Sequence, residues 1–400
     1  MLRLLLPLLF ELQKDRSSLF GLAMTEIMKD LQKKAILIDL INPAVSPKQS
    51  ADRLIELEEL VKTYGGIVIV KRYQKRVSPH PRTFIGPGKV EELGEEGKDL
   101  GASLLIINDR LKSRQIYTIM EMLRKMESPL QVWDRIDLIL KIFAKHARTT
   151  EAKLEIELAS IRHMGPRIYG MGMELSRQGG GIGTSGVGET NTEIMRRHLK
   201  EKERMLEKKL EQYETVRAGH RKNRTRNDFK TVAIVGYTNA GKTTLLNRLT
   251  RRKEYAANEL FATLDTRVGS LYLAGNPLHP QKVLVSDTIG FIQRLPPELL
   301  KAFASTLSEA VGSDVLLLVV DGSDSHLDLY LAVVQEILQR LGVADKPRIL
   351  VVNKIDALKP EDLAVLKEKM KDYPAPVVFI SAGNGEGMPA LIEAIEVLIK

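Results

Sequence analysis

The sequence predicts an α/β protein in which two regions of alternating strands and helices flank a long helical segment. Residues 33–135 and residues 229–400 each alternate short apolar runs with stretches whose apolar residues recur at helical spacing. Residues 136–228, between them, contain almost no strand signal. Because alternating strands and helices are typical of parallel sheets covered by helices, we expect two such sheets separated by a helical hairpin.

The first alternating region predicts an N-terminal α/β domain over 33–135, which follows an N-terminal extension over 1–32. Its first strand is Ala35–Leu40, and a helix is predicted over Ser50–Tyr64. The later elements are a strand in "GIVIVKR", a helix in "GKVEELGEEGKDLG", a strand in "SLLIIND", a helix in "SRQIYTIMEMLRKM" and a strand in "LQVWD". Each strand is followed by a helix, so we predict parallel pairing.

The middle region, 136–228, predicts two long helices. Ile136–Met164 lacks breakers and predicts one long helix or two in line, and after the loop "SRQGGGIGTSGVGET" a second helix is predicted from about Asn191 to Val216. One stripe of this second helix carries its apolar residues, Met195, Leu199, Leu206, Leu210 and Tyr213. Two long helices joined by a loop predict an antiparallel hairpin in which each buries the other's stripe. The polar, basic segment 217–228 is predicted to be a linker.

The last region, 229–400, predicts a doubly wound α/β domain. Its apolar runs are "TVAIV", "KVLVS", "DVLLLVV", "RILVV" and "PVVFIS", each followed by a helical pattern. Continuous apolar runs fit strands that are buried on both faces of a sheet.

Composition narrows the class of protein. The chain has 400 residues, a formal net charge of +9 and no cysteine. The charge favours polyanionic partners, and the absence of cysteine excludes disulfide frameworks, cysteine zinc sites and thiol catalysis. The N-terminal "MLRLLLPLLF" lacks a following cleavage site, which argues against a secretory signal, and no apolar run reaches the roughly 18 residues of a membrane span. We expect a cytoplasmic protein, with nothing that demands more than a monomer.

The segment Gly236–Thr243, "GYTNAGKT", fits the pattern G-x-x-x-x-G-K-[ST] between a predicted strand and a predicted helix. In that context backbone N–H groups turn inward and, with the helix N-terminus, form an anion-binding nest. Lys242 is expected to reach the β- and γ-phosphates of a nucleotide, and the Thr243 hydroxyl is expected to bind Mg²⁺. The predicted contacts of this loop are Gly236, Tyr237, Thr238, Asn239, Ala240, Gly241, Lys242, Thr243 and Thr244.

The segment "VVNKIDAL" predicts which base is bound, because it follows a predicted strand, where ligands bind in open α/β sheets. Asp356 offers two acceptor oxygens to the N1 and N2 donors of guanine, a pair that adenine lacks. Asn353 is expected to tie this loop to the phosphate-binding loop, and the Lys354 stem to lie against the base. Ser381, the Ala382 N–H and Gly383, in "SAGNGEG", are expected to support the base from the other side.

Two segments between these motifs predict a phosphate-sensing switch. In "LVSDTIGF", Asp287 is expected to hold Mg²⁺ through water and Gly290 to offer its N–H to the γ-phosphate, with Thr288 and Ile289 between them. In "LFATLDT", Thr263 is expected to coordinate Mg²⁺ only when a triphosphate is bound, next to Phe261 and Ala262, with Thr266 as the alternative ligand. Segments that are ordered by the γ-phosphate and released on hydrolysis make a switch.

Phe291 stands where Ras-like enzymes carry the glutamine that orients the attacking water. A phenyl ring cannot hydrogen-bond water, so we expect slow intrinsic hydrolysis. Two hypotheses stand for Asn239: its oxygen holds a monovalent cation such as K⁺, in the role of an arginine finger, or it caps and packs the loop. The predicted catalytic set is Lys242, Thr263, Gly290 and Asn239.

The chain resembles the HflX family, ribosome-associated GTPases among the Obg-related, translation-factor-like GTPases. The resemblance includes "RTFIGPGKVEEL", "IFAKHARTTEAKLEIELA", "SRQGGGIGTSGVGET" and the "LFATLDT" and "DTIGFI" forms of the switches. It implies an N-terminal α/β domain, a helical hairpin and a GTPase domain. It further implies binding to the large ribosomal subunit and its rRNA, and GTP-dependent dissociation or rescue of stalled ribosomes, notably under heat stress.

The glycine-rich loop is expected to contact RNA. "GIGTSG" matches a dinucleotide-binding pattern, but it lies between two long helices rather than inside a strand–helix–strand unit, so that interpretation is rejected. Glycines allow close backbone approach, and the resemblance favours insertion into rRNA by Arg177, Gln178, Gly179, Gly180 and Gly181.

Three other functions compete with a ribosome-directed switch. A tRNA-modification GTPase of the MnmE type would share Asn239 and K⁺ dependence, but it should carry a C-terminal cysteine, and this chain has none. A ribosome-assembly GTPase is a further alternative. A scaffold that holds GTP or GDP constitutively and serves in RNA binding or assembly is disfavoured by the intact Lys242, Thr243 and Asp287.

Overall fold

The computed structural model describes residues 33–44, 47–178, 187–226, 229–250, 267–276, 279–293, 299 and 304–399. The chain divides between Leu138 and Ile139 into two compact units. Among the described residues there are ten strands and eleven α-helices. They form two sheets and a helical hairpin, which confirms the predicted α/β class.

The first unit is a four-stranded parallel sheet with helices between its strands. In chain order its elements are β1 (Lys34–Ile41), α1 (Pro47–Tyr64), β2 (Ile67–Lys75), α2 (Pro87–Asp99), β3 (Leu104–Ile107), α3 (Ser113–Lys125), β4 (Gln131–Asp134) and α4, which begins at Arg135. The strand order is β2-β1-β3-β4, and every pair is parallel. All four residues of β3 are buried, as expected of a strand covered on both faces.

The second unit begins within α4 (Arg135–His146) and continues as the hairpin helices α5 (Thr150–Gln178) and α6 (Val187–Arg226). The segment predicted as one helix or two is therefore two, separated by residues 147–149. The prediction of a linker over 217–228 is wrong for residues 217–226, which extend α6. Lys and Arg are good helix formers, and Gly219 alone does not stop the helix.

Ion pairs show that α5 and α6 run antiparallel. Arg217 lies 2.9 Å from Glu151 near the start of α5, and Arg162, farther along α5, lies 2.7 Å from Glu203. Of the predicted apolar stripe of α6, Leu206 is 1% exposed, whereas Tyr213 is exposed. The hairpin thus buries part of the apolar stripe, and ion pairs join α5 to α6.

The rest of the second unit is a six-stranded sheet of order β10-β9-β8-β5-β7-β6. Its elements are β5 (Lys230–Gly236), α7 (Lys242–Thr250), β6 (Arg267–Asn276), β7 (His279–Asp287), α8 (Ala304–Gly312), β8 (Val315–Asp321), α9 (Leu327–Arg340), β9 (Arg348–Asn353), α10 (Pro360–Lys369), β10 (Val377–Phe379) and α11 (Met388–Ile399). All pairs are parallel except β6 with β7. The predicted P-loop architecture is confirmed.

Strand β6 was not predicted from the sequence. It is an antiparallel edge strand, in which buried Leu271 and Leu273 alternate with Tyr272, which is 61% exposed. This period of two is the signal that a search for continuous apolar runs misses. Among the residues described, no helix combines the length and the apolarity that crossing a membrane requires.

Candidate functional site

The phosphate-binding loop connects β5 to α7 at the carboxyl end of the sheet. Gly241 has φ +88°, and a Cβ at this position would lie 2.2 Å from the Asn353 amide nitrogen, so glycine alone fits. Asn239 has φ +61° and is exposed; asparagine tolerates this left-handed conformation better than most residues do. The loop therefore holds its shape through two residues that can adopt a positive φ.

The Lys242 side chain is buried at the start of α7, and its ammonium donates to the Tyr237 carbonyl at 2.7 Å. Burial lowers the pKa of Lys242 from the ordinary lysine value of 10.5 to about 8, and the Asp287 carboxylate opposes this only in part. A desolvated ammonium favours an anion beside it, because an anion restores the stability of the charged form. This is the electrostatic setting that a phosphate requires.

Thr243 and Asp287 meet at the start of α7 and the end of β7. The Thr243 hydroxyl donates to Asp287 Oδ2 at 2.8 Å, and Asp287 is fully buried. One hydroxyl and one carboxylate at this spacing are hard oxygen donors of the kind that Mg²⁺ prefers. The residues present therefore fit the magnesium ion that P-loop GTPases generally use.

Asn353, at the end of β9, joins three loops through one buried amide. Its Nδ2 donates to the Ala240 carbonyl at 2.8 Å, and its Oδ1 accepts the Ala382 N–H at 2.9 Å. The two partners are a carbonyl and an amide, which fixes the orientation of the side chain. The predicted tie to the phosphate-binding loop is present, whereas the Ala382 N–H, expected to support a base, is occupied by Asn353.

The residues predicted to recognise guanine follow Asn353. Lys354 adopts φ +63° and its ammonium lies 2.7 Å from Asp321 at the end of β8, which fixes the direction of the lysine stem. Asp356 is exposed on a 3₁₀ turn, Ile355–Ala357. The Ile355 N–H donates to the Ile380 carbonyl at 3.2 Å, so the loops after β9 and β10 lie side by side.

The segment after β7 is hydrogen-bonded along the phosphate-binding loop. The Thr238 N–H donates to the Phe291 carbonyl at 2.8 Å, and the Phe291 N–H donates to the Gly236 carbonyl at 3.1 Å. The Phe291 ring is fully buried. A Cβ on Gly290 would lie 2.9 Å from the Lys242 ammonium, so the predicted γ-phosphate sensor lies directly beside the predicted phosphate-binding lysine.

Tyr237 was predicted only as a member of the phosphate-binding loop, and its side chain does more. Its hydroxyl accepts the Gln293 N–H at 2.9 Å, and its ring stacks on Tyr330 of α9 with 3.9 Å between ring centroids. Tyr237 therefore links the phosphate-binding loop to the segment that follows Phe291 and to α9. Sequence spacing alone could not have revealed this pairing.

Arg248, near the end of α7, is a second residue that the sequence analysis missed. Its Nε donates to the Ala382 carbonyl at 3.2 Å, and its Nη2 donates to the Gly383 carbonyl. The partners are more than 130 residues apart in the sequence, so no local pattern points to the contact.

The structure brings together most of the predicted nucleotide-binding residues at one edge of the sheet. Thr288 and Ile289 are buried there, and the Thr288 hydroxyl donates to the Ile234 carbonyl at 2.8 Å. Ser381 is also buried, and its hydroxyl accepts the Asn384 N–H at 3.3 Å. The predictions for Phe261, Ala262, Thr263 and Thr266 fall outside the described residues, as do those for Gly179, Gly180 and Gly181. Arg177 and Gln178 end α5, but their side chains lie outside the description.

Comparison with known proteins covers nearly the whole chain. Three family models match: "GTP-binding GTPase N-terminal" over residues 51–144, "GTP-binding GTPase Middle Region" over 146–224 and "50S ribosome-binding GTPase" over 231–354. GTPase HflX of Lacrimispora saccharolytica is 42% identical over 384 residues, which are 94% of this chain and 86% of that protein. GTPase HflX of Escherichia coli is 36% identical and covers 92% of this chain and 83% of its own length.

A solved structure extends the similarity to the fold. The crystal structure of SsGBP in complex with GDP aligns over 92% of this chain and 98% of that chain, with 29% identity and a TM-score of 0.51.

Replacing Asn353 with alanine is expected to weaken GDP binding about 100-fold. The change removes two hydrogen bonds and leaves a buried carbonyl and a buried N–H unsatisfied, at about 1–3 kcal/mol each. Calorimetric titration of GDP measures the loss. Asn42→Ala, which removes only a surface turn contact to the Ala44 N–H, is the control. Equal affinity of Asn353→Ala and the unchanged protein would contradict the bridging role.

The affinity for GDP is expected to fall as pH rises through the pKa of Lys242. Below about pH 8 the lysine of the free protein is already charged. Above that pH it is mostly neutral, so binding must take up a proton, and affinity should fall about fivefold between pH 8 and pH 9. Titrations in this range, below the ionisation of guanine, measure the slope. A constant affinity would show that Lys242 keeps an ordinary pKa or does not contact the phosphates.

Proposed function

The chain belongs to the HflX family of GTPases, and we propose that it binds the large ribosomal subunit and uses GTP binding and hydrolysis to dissociate or rescue stalled ribosomes under heat or other stress. The observation that carries the proposal is the long hairpin of α5 and α6, whose outer surface is basic, in one chain with a GTPase fold. The description of the matching family model as a 50S ribosome-binding GTPase supports the same partner.

The hairpin has the length and the charge for contact with folded RNA. At 1.5 Å per residue, α5 is about 44 Å long and α6 about 60 Å. From Arg196 to Lys209, α6 carries seven Lys or Arg and three Glu, a net charge of 7 − 3 = +4. Glu203 and Glu207 both bond Arg162 of α5, so these acids face the partner helix. Six basic side chains of this stretch are exposed and can neutralise phosphates: Arg196, Arg197, Lys200, Arg204, Lys208 and Lys209.

The nucleotide cycle follows from the residues at the sheet edge. Lys242 would bind the β- and γ-phosphates, Gly290 would offer its N–H to the γ-phosphate, and Asp356 would select guanine. Thr243 and Asp287, with Thr263 in the triphosphate state, would hold Mg²⁺, which supplies positive charge to the phosphate oxygens. Binding of the triphosphate would reorganise the segment after Gly290, which the structure shows hydrogen-bonded to the phosphate-binding loop. GTP and GDP would thus give the protein two conformations.

Phe291 and Asn239 together indicate a GTPase whose intrinsic hydrolysis is slow and must be stimulated by a cation and by a binding partner. The Phe291 ring is fully buried and has no hydrogen-bonding group, so this position cannot orient the attacking water. Asn239 is exposed on the phosphate-binding loop, and its side-chain amide carries an oxygen of the kind that can bind a cation. We propose that K⁺ binds there and that contact with the ribosome orders the attacking water. The residues Arg177 to Gly181 at the hairpin tip would insert into rRNA.

Reversing the exposed charge of α6 is expected to release the protein from large subunits. The triple variant Arg196→Glu, Arg197→Glu, Lys200→Glu changes the net charge by −6 and should reduce co-sedimentation with 50S subunits more than tenfold at low salt. It should also abolish GTP-dependent splitting of 70S ribosomes, followed by light scattering, while GDP affinity is kept.

The matched control carries the same charge change at the end of α10 and just after it, as Lys367→Glu, Lys369→Glu and Lys371→Glu. It should still co-sediment and split ribosomes. If the two triple variants lost binding equally, net charge rather than the hairpin surface would account for the association, and the proposal would fail.

Hydrolysis is expected to be faster in K⁺ than in Na⁺, and Asn239→Gly should remove the difference. Glycine accepts the positive φ of this position, so the change deletes the oxygen without straining the loop. Phosphate release by the purified protein in matched KCl and NaCl buffers measures the effect. Equal rates for the unchanged protein in the two salts, or a K⁺ effect that survives the substitution, would exclude Asn239 as a cation ligand.

A further inference from the structure

We propose that the Thr238 hydroxyl donates a hydrogen bond to the γ-phosphate of GTP and thereby favours the triphosphate over the diphosphate. The sequence analysis predicted Thr238 only as a member of the phosphate-binding loop and gave its side chain no role. The proposal rests on the proposed placement of the γ-phosphate beside Lys242 and Gly290. It adds to that placement a side-chain contact that GDP cannot make.

Thr238 carries a buried hydroxyl that is unpaired in the described part of the chain. The residue is 6% exposed, and its Oγ1 is shielded from solvent. Among the residues that the structure describes, none forms a hydrogen bond with this oxygen. A buried hydroxyl without a partner is unfavourable, so native proteins rarely keep one unless a ligand or a function accounts for it. A phosphate oxygen beside Thr238 would supply the missing partner.

The Thr238 side chain lies beside the two groups expected to contact the γ-phosphate. A Cβ on Gly290 would lie 2.7 Å from Thr238 Cγ2 and 2.9 Å from the Lys242 ammonium. Oγ1 and Cγ2 are bonded to the same Cβ, so the hydroxyl is next to the methyl group that faces Gly290. The hydroxyl, the lysine and the glycine are therefore neighbours at one place on the phosphate-binding loop.

Two backbone hydrogen bonds fix the peptide group that precedes the Thr238 side chain. Tyr237 C=O and Thr238 N–H belong to one trans peptide group and point in opposite directions. The carbonyl accepts the Lys242 ammonium at 2.7 Å, and the N–H donates to the Phe291 carbonyl at 2.8 Å. In this arrangement Lys242 bonds its own loop, and the segment after Gly290 lies against Thr238.

A triphosphate would change that arrangement in favour of the hydroxyl. The γ-phosphate brings charged oxygens, which accept hydrogen bonds more strongly than a backbone carbonyl does. Movement of the segment after Gly290, proposed above, would uncover the Thr238 hydroxyl for one of these oxygens. GDP ends at the β-phosphate and would leave the hydroxyl unpaired. The contact would therefore add to the affinity for GTP without changing the affinity for GDP.

The test measures the dissociation constants of GDP and of GppNHp, a GTP analogue that resists hydrolysis, by calorimetric titration in Mg²⁺ buffer. Thr238→Val replaces the hydroxyl with a methyl group of similar size. It should weaken GppNHp binding about 20-fold, as expected for one lost hydrogen bond to a charged oxygen, and leave GDP binding unchanged. Thr238→Ser keeps the hydroxyl and should bind both nucleotides as the unchanged protein does.

Thr118→Val is the matched control. It removes a hydroxyl of α3 that donates to the Arg114 carbonyl at 2.8 Å, and it should change neither affinity. Thr238→Val removes an unpaired buried hydroxyl, so it should not lower the melting temperature. If Thr238→Val kept the affinity for GppNHp, or weakened GDP and GppNHp binding equally, the proposal would be overturned.

Gly290→Ala separates a failure of this inference from a failure of the proposed site. The added Cβ would collide with Thr238 and Lys242, so it should weaken GppNHp binding selectively if the γ-phosphate lies there. If Gly290→Ala weakened GppNHp binding and Thr238→Val did not, the role of Thr238 alone would be wrong. If neither variant weakened it, the placement of the γ-phosphate would be wrong, and the proposal with it.

Discussion

The two hydrogen bonds of the Asn353 amide are the constraint on which the nucleotide site depends. They join the phosphate-binding loop after β5 to the loop after β10, and Asn353 itself ends β9. The three segments are distant in sequence but adjacent at the carboxyl edge of one parallel sheet, where ligands bind in such folds. Because the amide is buried, losing it would leave two polar groups without water, so the three loops are held as one body.

The two ends of a bound nucleotide would contact different kinds of residue: a mobile switch at the phosphates and fixed loops at the base. At the phosphate end, a buried lysine lies beside Gly290, and the following residues are hydrogen-bonded to the phosphate-binding loop. Phosphate charge at Lys242 would therefore act directly on the segment after β7, and the Tyr237 hydroxyl extends that link to Gln293. At the base end, Asp321 fixes Lys354 and Arg248 fixes two carbonyls. None of these contacts involves Lys242, Gly290 or the segment after β7, so base recognition would stay constant while the switch moves.

Sequence reasoning found the parts of the site that lie in contiguous motifs and missed those that depend on distant contacts. Lys242 and Thr243 follow from the spacing of glycines, lysine and hydroxyl between a strand and a helix, and Asp287 follows from the segment "LVSDTIGF". Arg248 and the Tyr237–Tyr330 stack do not, because neither partner carries a local pattern. In the fold, long apolar runs predicted the parallel strands. Strand β6 was missed because its buried and exposed residues alternate, and the last residues of α6 were missed because they are polar and basic. The occupied Ala382 N–H shows the same limit: a motif names a backbone donor, but only the structure shows what the donor already bonds.

The most direct test of a ribosome-directed GTPase is the rate of GTP hydrolysis by the purified protein in K⁺ buffer, alone and with large or small ribosomal subunits. The account predicts a slow rate alone, strong stimulation by large subunits and none by small subunits, because Phe291 leaves the attacking water without an orienting group. A rate that large subunits leave unchanged would contradict it.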